Sequence, residues 1–150
     1  MIRNILVATD GSPLAGKAVK FAVGLAKQLK AGVTVIGVVD LTMLIAPASY
    51  APAATNARVL METKDLVGQA TREQVDRAAA IFAKAGVAVK KTVRTGRPAE
   101  EIVKAAKAAK AGLIVLGSHG RSAIKAVLLG SVAYGVIHGS TSIPVIAVRR

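Results

Sequence analysis

Leu113-Ile114-Val115-Leu116-Gly117-Ser118-His119-Gly120-Arg121-Ser122 is the stretch that decides how this chain folds. An apolar run that breaks into small residues at its carboxyl end, ahead of a helix start, is where α/β proteins hold phosphate. The spacing extends the pattern. Two residues separate Gly117 from Gly120, nine separate Gly120 from Gly130, and Ser131 follows directly. Glycine has no Cβ to hold the main chain away from an anion and can take positive φ, so several N–H groups can converge. Ser131, just before Val132-Ala133-Tyr134, adds a hydroxyl at a helix entrance. The alternative for Gly117 and Gly120 taken alone is a plain turn. Neither of the two best-known phosphate loops is present: no glycine is followed by the Gly-Lys-Ser/Thr of a P-loop. The first apolar run leads into Asp10-Gly11-Ser12-Pro13 rather than a dinucleotide fingerprint.

Working outward, five apolar runs rich in Val and Ile read as strands: Ile2 to Thr9, Val33 to Val39, Val87 to Thr95, Leu113 to Leu116 and Ile143 to Val148. Helical patterns alternate with them. Ser12-Pro13 offers a capping hydroxyl and a first-turn proline. Ala15, Ala18, Val19, Ala22, Val23, Ala26 and Leu29 then form one stripe that ends near Gly32. Pro98 opens a helix with Glu100 and Glu101 in its first turn, Lys104, Lys107 and Lys110 later, and Gly112 as its stop. The longest helix is expected from about Asn56 to Ala85, closing at Gly86, with Val59, Leu60, Leu66, Val67, Ala70, Val75, Ala78, Ala79 and Phe82 as candidate core. A last helix begins near Ser131.

Strict alternation predicts an α/β domain over 1–150: a five-stranded parallel sheet, Rossmann-like, with helices on both faces and right-handed crossovers. Ligands of such sheets lie beyond the carboxyl ends of the strands, where strand order reverses. Thr9-Asp10, Val38-Val39-Asp40 and Gly117 are therefore expected at one edge. Residues 41 to 55, with Pro47 and Pro52, are long for a βα connection and read as a lid, a partner surface or a plain surface loop.

Composition narrows the function classes. The 150 residues contain no cysteine and two histidines, which excludes disulfides, thiol catalysis and a histidine-built metal site and suits a reducing cytoplasm. Met1-Ile2-Arg3-Asn4-Ile5-Leu6-Val7 has no signal segment, and no apolar run approaches the roughly 18 residues that cross a bilayer. Twenty-one Lys and Arg against eight Asp and Glu give a formal charge of +13. Two tyrosines and two phenylalanines, none within a basic cluster, provide no stacking platform for single-stranded nucleic acid. The lysines at 17, 20, 27, 30, 104, 107 and 110 recur at helical spacing, as on a solvated face. Specific nucleic-acid binding is not expected; a salt-sensitive affinity for polyanions is.

Three pieces together resemble the universal stress protein family, over essentially the whole chain. They are Ile5-Leu6-Val7-Ala8-Thr9-Asp10-Gly11-Ser12, Gly96-Arg97-Pro98-Ala99-Glu100-Glu101-Ile102, and Gly117-Ser118-His119-Gly120-Arg121 through Leu128-Leu129-Gly130-Ser131-Val132. The last matches the family's Gly, two residues, Gly, nine residues, Gly-Ser/Thr signature. The resemblance implies a five-stranded sheet of the adenine nucleotide alpha-hydrolase-like kind, ATP or a related adenine nucleotide as ligand, Mg as a companion ion, and a homodimer through the last strand. It places Asp10 and the backbone of Val38 at the adenine and ribose end, with Gly117, Gly120, Gly130, Ser131 and Val132 around ribose and phosphates. Family members often carry His where this chain has Gly37. The basic excess is unusual for the family and suggests an acidic protein partner.

Several residues keep two readings. Asp10 is a ribose contact or the anchor of an Asx turn in Asp-Gly-Ser-Pro. Arg121 and Lys125 meet phosphates or stand as solvated cations. Ser118, Ser122 and Ser131 are phosphate donors; Ser122 is alternatively a turn cap. His119 lacks a paired carboxylate and reads as a loop-packing residue, and His138 as a helix-end residue. No catalytic residue stands out. The leading function is nucleotide-dependent regulation through two states of unequal affinity. The alternatives are slow ATP hydrolysis or self-phosphorylation, cyclic AMP in place of ATP, and a dimeric interaction module independent of nucleotide. The carboxyl-terminal Ile143-Pro144-Val145-Ile146-Ala147-Val148 reads as an edge strand that a second copy pairs with, or that Arg149 and Arg150 guard.

Overall fold

In the computed structural model, which describes residues 1–44, 57–121 and 128–149, the elements follow the order β1 (Asn4–Ala8), α1 (Pro13–Leu29), β2 (Gly32–Asp40), α2 (Leu41–Leu44), α3 (Ala57–Lys84), β3 (Val89–Gly96), α4 (Pro98–Ala108), β4 (Leu113–Gly117), α5 (Ser131–Gly139) and β5 (Val145–Val148). The five strands form one sheet in the order β3-β2-β1-β4-β5, every pair parallel. The chain steps from β1 outward to β2 and β3, then crosses back to β4 and β5. Order therefore reverses between β1 and β4, which opens a crevice between their carboxyl ends.

Right-handed crossovers put helices made while the chain moves one way on one face and those of the return on the other. Ile5, Val7, Val33, Val35, Leu113 and Val115 accordingly pack with α1 and α3, burying Ala18, Val19, Ala22, Val75 and Phe82. Leu6, Ala8, Ile36, Ile114 and Leu116 pack with α4 and α5 over Ile102, Val103, Ala106, Ala133 and Val136. A sheet covered on both faces explains why its central strands are continuous apolar runs.

Local signals set several boundaries. Ser12 Oγ accepts from the N–H of Ala15 at 3.2 Å, and Pro13 opens α1. Pro98 opens α4 in the same way, with Glu100 and Glu101 in the first turn. Three strands start later than their apolar runs suggest, at Asn4, Val89 and Val145 rather than Ile2, Val87 and Ile143.

Helix α3 closes at Gly86, which takes φ 76° as expected, but the stops of α1 and α4 differ from the expected glycines. The left-handed residues are Lys30 (φ 52°) and Lys110 (φ 50°), each two residues before the glycine in question. Gly32 instead begins β2 and Gly112 directly precedes β4: Gly32 N–H donates to Arg3 O and Gly112 N–H to Asn4 O, both at 2.9 Å. A Cβ at Gly112 would meet Ile2 at 3.3 Å, so close packing is what that glycine serves. Asn4 Nδ2 closes the end of α4 by donating to Ala109 O at 2.9 Å.

Helix α3 buries Thr71, Val75, Ala78, Ala79 and Phe82 but leaves Val59, Leu60, Leu66 and Ala70 exposed and Val67 partly so. Its 28 residues span about 42 Å at 1.5 Å per residue, whereas the nine-residue β2 spans about 30 Å. The amino-terminal turns extend past the sheet that would bury them. Leu29, at the end of α1, is also exposed. Among the described residues no helix is long and apolar enough to cross a membrane. The segment expected as a lid, 41–55, is described only for Leu41–Leu44, and the rest lies outside the described residues, as do Ser122 and Lys125.

Candidate functional site

Asp10 leaves β1 at the crevice. Its Oδ1 accepts from Ser12 N–H at 2.9 Å, an Asx turn, and Thr9 Oγ1 accepts from Gly11 N–H at 3.3 Å. Gly11 takes φ +76°, which this tight exit from β1 into α1 requires. The ring of short bonds fixes the Asp10 carboxylate. Its Oδ2 lies where a Cβ on Gly120 would be only 2.7 Å away.

The glycines of the loop are present for space. Gly117, Gly120 and Gly130 do not have positive φ, so of the two properties expected to call for glycine, freedom of φ and the absence of a Cβ, only the second is used. A Cβ on Gly117 would sit 3.0 Å from the Leu14 carbonyl carbon and 3.1 Å from Ala15 N, on the first turn of α1. One on Gly130 would sit 3.0 Å from Ser118 O and 3.1 Å from His119 Cα. The residues after β4 thus lie tightly between α1 and the start of α5.

Hydrogen bonds hold them there. Gly130 N–H donates to Ser118 O at 2.7 Å, and Ser118 N–H donates to Val148 O of β5 at 2.8 Å. Ser118, fully buried, shares a 2.9 Å hydrogen bond between its Oγ and His119 Nδ1. Arg121 Nε donates to Asp10 O at 2.8 Å, joining the loop after β4 to the end of β1.

The two helix starts at this edge differ. The first turn of α1 is capped by Ser12, whereas α5 begins at Gly130, which offers no side-chain cap and leaves the first turn without an acid. Tyr134 N–H donates to Gly130 O at 2.9 Å as the helix begins. The N–H groups of Ser131, Val132 and Ala133 come before that bond, where helix geometry provides no intrahelical acceptor, and they carry the positive end of the helix dipole.

On the other side of β1, Thr9 N–H donates to Ile36 O at 2.9 Å. Main-chain groups alternate sides along a strand, so the N–H and C=O of Val38, two residues on, face the space beyond the end of β1. Asp40 turns away to start α2, its Oδ1 accepting from Thr42 N–H at 2.9 Å and from the Thr42 hydroxyl at 2.6 Å.

The model of the universal stress protein family matches residues 1–149. The chain belongs to the universal stress protein family. It is 34% identical over 150 residues to the universal stress protein MJ0531 of Methanocaldococcus jannaschii, covering all of this chain and 84% of that one. The solved structure of MJ0577, from the same organism, superposes with a TM-score of 0.85 at 29% identity, covering 100% of this chain and 97% of that one. A universal stress protein solved in complex with cAMP superposes with a TM-score of 0.68 at 25% identity, over 98% of each chain.

In this universal stress protein, Asp10, Gly120 and Gly130 lie in a chain of close contacts, Gly117 packs instead on Leu14 and Ala15 of α1, and Ser131 and Val132 follow Gly130 into α5. Val38 stands apart on β2, across β1 from the glycine loop. Arg121 has a place that neither sequence reading foresaw. Its guanidinium is a latch on the Asp10 carbonyl, across 111 residues of chain. Thr9 was also missed as a turn anchor. The Thr9 bond spans two residues and is a local hydroxyl turn, whereas no local pattern signals the Arg121 latch, which depends on the neighbouring strand end. His138 sits in the last turn of α5, stacked on Tyr134 with ring centroids 5.9 Å apart.

Proposed function

We propose that this protein binds an adenine nucleotide, ATP first among them, in the crevice between β1 and β4, and that occupancy biases its conformation or its partner contacts. The observation that carries this reading is the pairing of a side-chain-free glycine loop with the uncapped start of α5. A Cβ would lie 3.0 Å from main-chain atoms at Gly117 and Gly130 and 2.7 Å from Asp10 Oδ2 at Gly120, and among the described residues the first N–H groups of α5 have no hydrogen-bond partner. Gly117, Gly120 and Gly130 would let phosphate oxygens reach the main chain, with Ser131 and Val132 donating from the helix start. Asp10 would take a ribose hydroxyl on the oxygen not used by its Asx turn, and the main chain of Val38 would meet the adenine edge.

Asp10 is the carboxylate nearest the loop, and among the described residues no group of three or more acids or histidines could hold a metal ion by itself. A divalent ion would therefore arrive with the phosphates. Cyclic AMP is the second reading, supported by the cAMP complex of the 25%-identical relative.

The protein acts as a homodimer in this proposal. Ile114 N–H and Ser118 N–H donate to Pro144 O and Val148 O, so the even residues of β5 bond β4 and Val145 and Ala147 turn their main chains outward. This apolar edge pairs with its own copy about a two-fold axis. The test is mass spectrometry of nucleotide released from the purified, denatured protein, with calorimetric titration of ATP, ADP and cyclic AMP in magnesium. Bound adenine nucleotide that disappears in Gly117→Val supports the reading; a folded protein that binds none of the three refutes it.

A further inference from the structure

The sheet has two edges of opposite chemistry. β5 is apolar, whereas β3, Val89-Lys90-Lys91-Thr92-Val93-Arg94-Thr95-Gly96, places cations on both of its faces. Val33 N–H donates to Ala88 O at 2.8 Å and Val33 pairs with Val89, so the even residues of β3 bond β2. Val89, Lys91, Val93 and Thr95 consequently turn their N–H and C=O groups outward, and among the described residues no strand lies beyond them.

Beside this edge, on the α4 face, runs a groove of about 470 Å³ lined by Asn4, Thr34, Lys90, Thr92, Arg94 and Lys110 and walled by alanines of α4. It involves the amino-terminal part of β1 and the end of α4, away from the crevice at the carboxyl ends of β1 and β4. Glu101 offsets part of its charge, lying 3.6 Å from Arg94 and 2.9 Å from Lys104. Lys90 and Lys110 have no ion-pair partner among the described residues. On the opposite face Lys91 pairs with Asp76 at 2.7 Å, both side chains more than half exposed.

We propose that the β3 edge docks an extended acidic peptide segment of another protein as a sixth strand, its carboxylates reaching Lys90, Arg94 and Lys110 in the groove. Two features select this occupant. A second copy of this chain would set Lys and Arg against Lys and Arg across the junction, which is unfavourable. A nucleic acid would use the lysines but not the row of outward main-chain donors and acceptors, and the groove has no aromatic side chain on which a base could stack. A peptide uses both: main-chain bonds for affinity, and alternate acidic side chains, about 7 Å apart, for specificity.

The experiment uses the full chain and a labelled ten-residue peptide alternating glutamate with threonine and valine, read by fluorescence anisotropy and by amide exchange in NMR spectra. On peptide addition the amides of Val89, Lys91, Val93 and Thr95 gain protection, while those of Lys90, Thr92 and Arg94, already bonded to β2, do not change. Lys90→Glu/Lys110→Glu weakens binding by about tenfold or more. Val93→Pro removes an outward N–H without touching the bonds to β2 and weakens it comparably. The alternating protection is read on the unmutated chain, so a variant that fails to fold leaves the test intact. Absence of binding overturns the proposal, as does protection without alternation or a folded Val93→Pro that binds normally. A double-stranded oligonucleotide that binds more tightly than the peptide through the same lysines also overturns it, by making the surface a general polyanion site.

Discussion

Gly130→Ala is the smallest change that tests the crevice. The backbone there has φ −70° and ψ 159°, which alanine adopts without strain, so any effect comes from the added methyl group. That carbon would lie 3.0 Å from Ser118 O and 3.1 Å from His119 Cα, both main-chain atoms, so no side chain can swing aside. Ordinary contact needs several tenths of an ångström more, and the residues after β4 must separate from the start of α5 by that amount. Overpacking of this kind costs about 1–2 kcal/mol, which for a chain of this size is a fall in Tm of about 2–8 °C. The 2.7 Å bond from Gly130 N–H to Ser118 O lengthens at the same time. Donors converging on a phosphate lose their aim over such distances, and ATP affinity measured by calorimetry should drop by about tenfold or more. An alanine variant that is destabilised yet binds ATP as tightly as the unmutated chain would refute the reasoning, because the glycine would then serve packing alone.

Three further predictions probe the frame. Gly24→Ala, on an exposed part of α1 with nothing within 4 Å of the new carbon, should stabilise the protein by about 0.5–1 kcal/mol in thermal or urea unfolding. Phe82→Ala should cost about 3–5 kcal/mol, whereas Leu66→Ala, on the same helix but 68% exposed, should change stability by less than about 0.5 kcal/mol. The Glu101 carboxyl is held below its ordinary value of 4.5 by the hydrogen bond from Lys104, against an opposing effect of burial and with help from Arg94. A carboxylate whose folded pKa is depressed stabilises the fold above its unfolded pKa and loses that contribution as pH falls through the folded value. The unfolding free-energy gap between the unmutated chain and Glu101→Gln should therefore be constant near neutrality and close below pH 4.5, as followed by urea titration across pH.

Much of the framework was legible because it rests on local chemistry. Ser12-Pro13 and Pro98 start helices by capping and by a preset φ, and the alternation of Val/Ile runs with helical stripes specifies a parallel sheet. Within the signature from Gly117 to Ser131, Gly120 is the residue that lies against Asp10. Gly86 ends α3 as its spacing predicts, but the stops of α1 and α4 do not fall on glycine, because glycine is needed both to end helices and to allow close approach, and spacing alone does not tell these uses apart. Gly32 starts β2 and Gly112 packs on Ile2 just before β4, while Lys30 and Lys110 take the left-handed turns. The exposed start of α3 escaped notice for a similar reason. Its apolar residues have helical periodicity, but how far the sheet reaches beneath them depends on strands elsewhere in the chain.

By itself the sequence determined the fold class, the family and the spacing of the candidate site residues, because periodicity, caps and a spaced glycine signature are properties of neighbours along the chain. Only the tertiary structure decided what each of those residues does. It showed that the loop glycines make room rather than supply unusual φ, that Gly130 packs against Ser118 and His119, and that Arg121 secures Asp10. It also left β3 as a cationic edge facing away from β5. These are contacts between residues tens to more than a hundred positions apart, set by strand order and by which atoms happen to meet, and no local pattern of side chains encodes them.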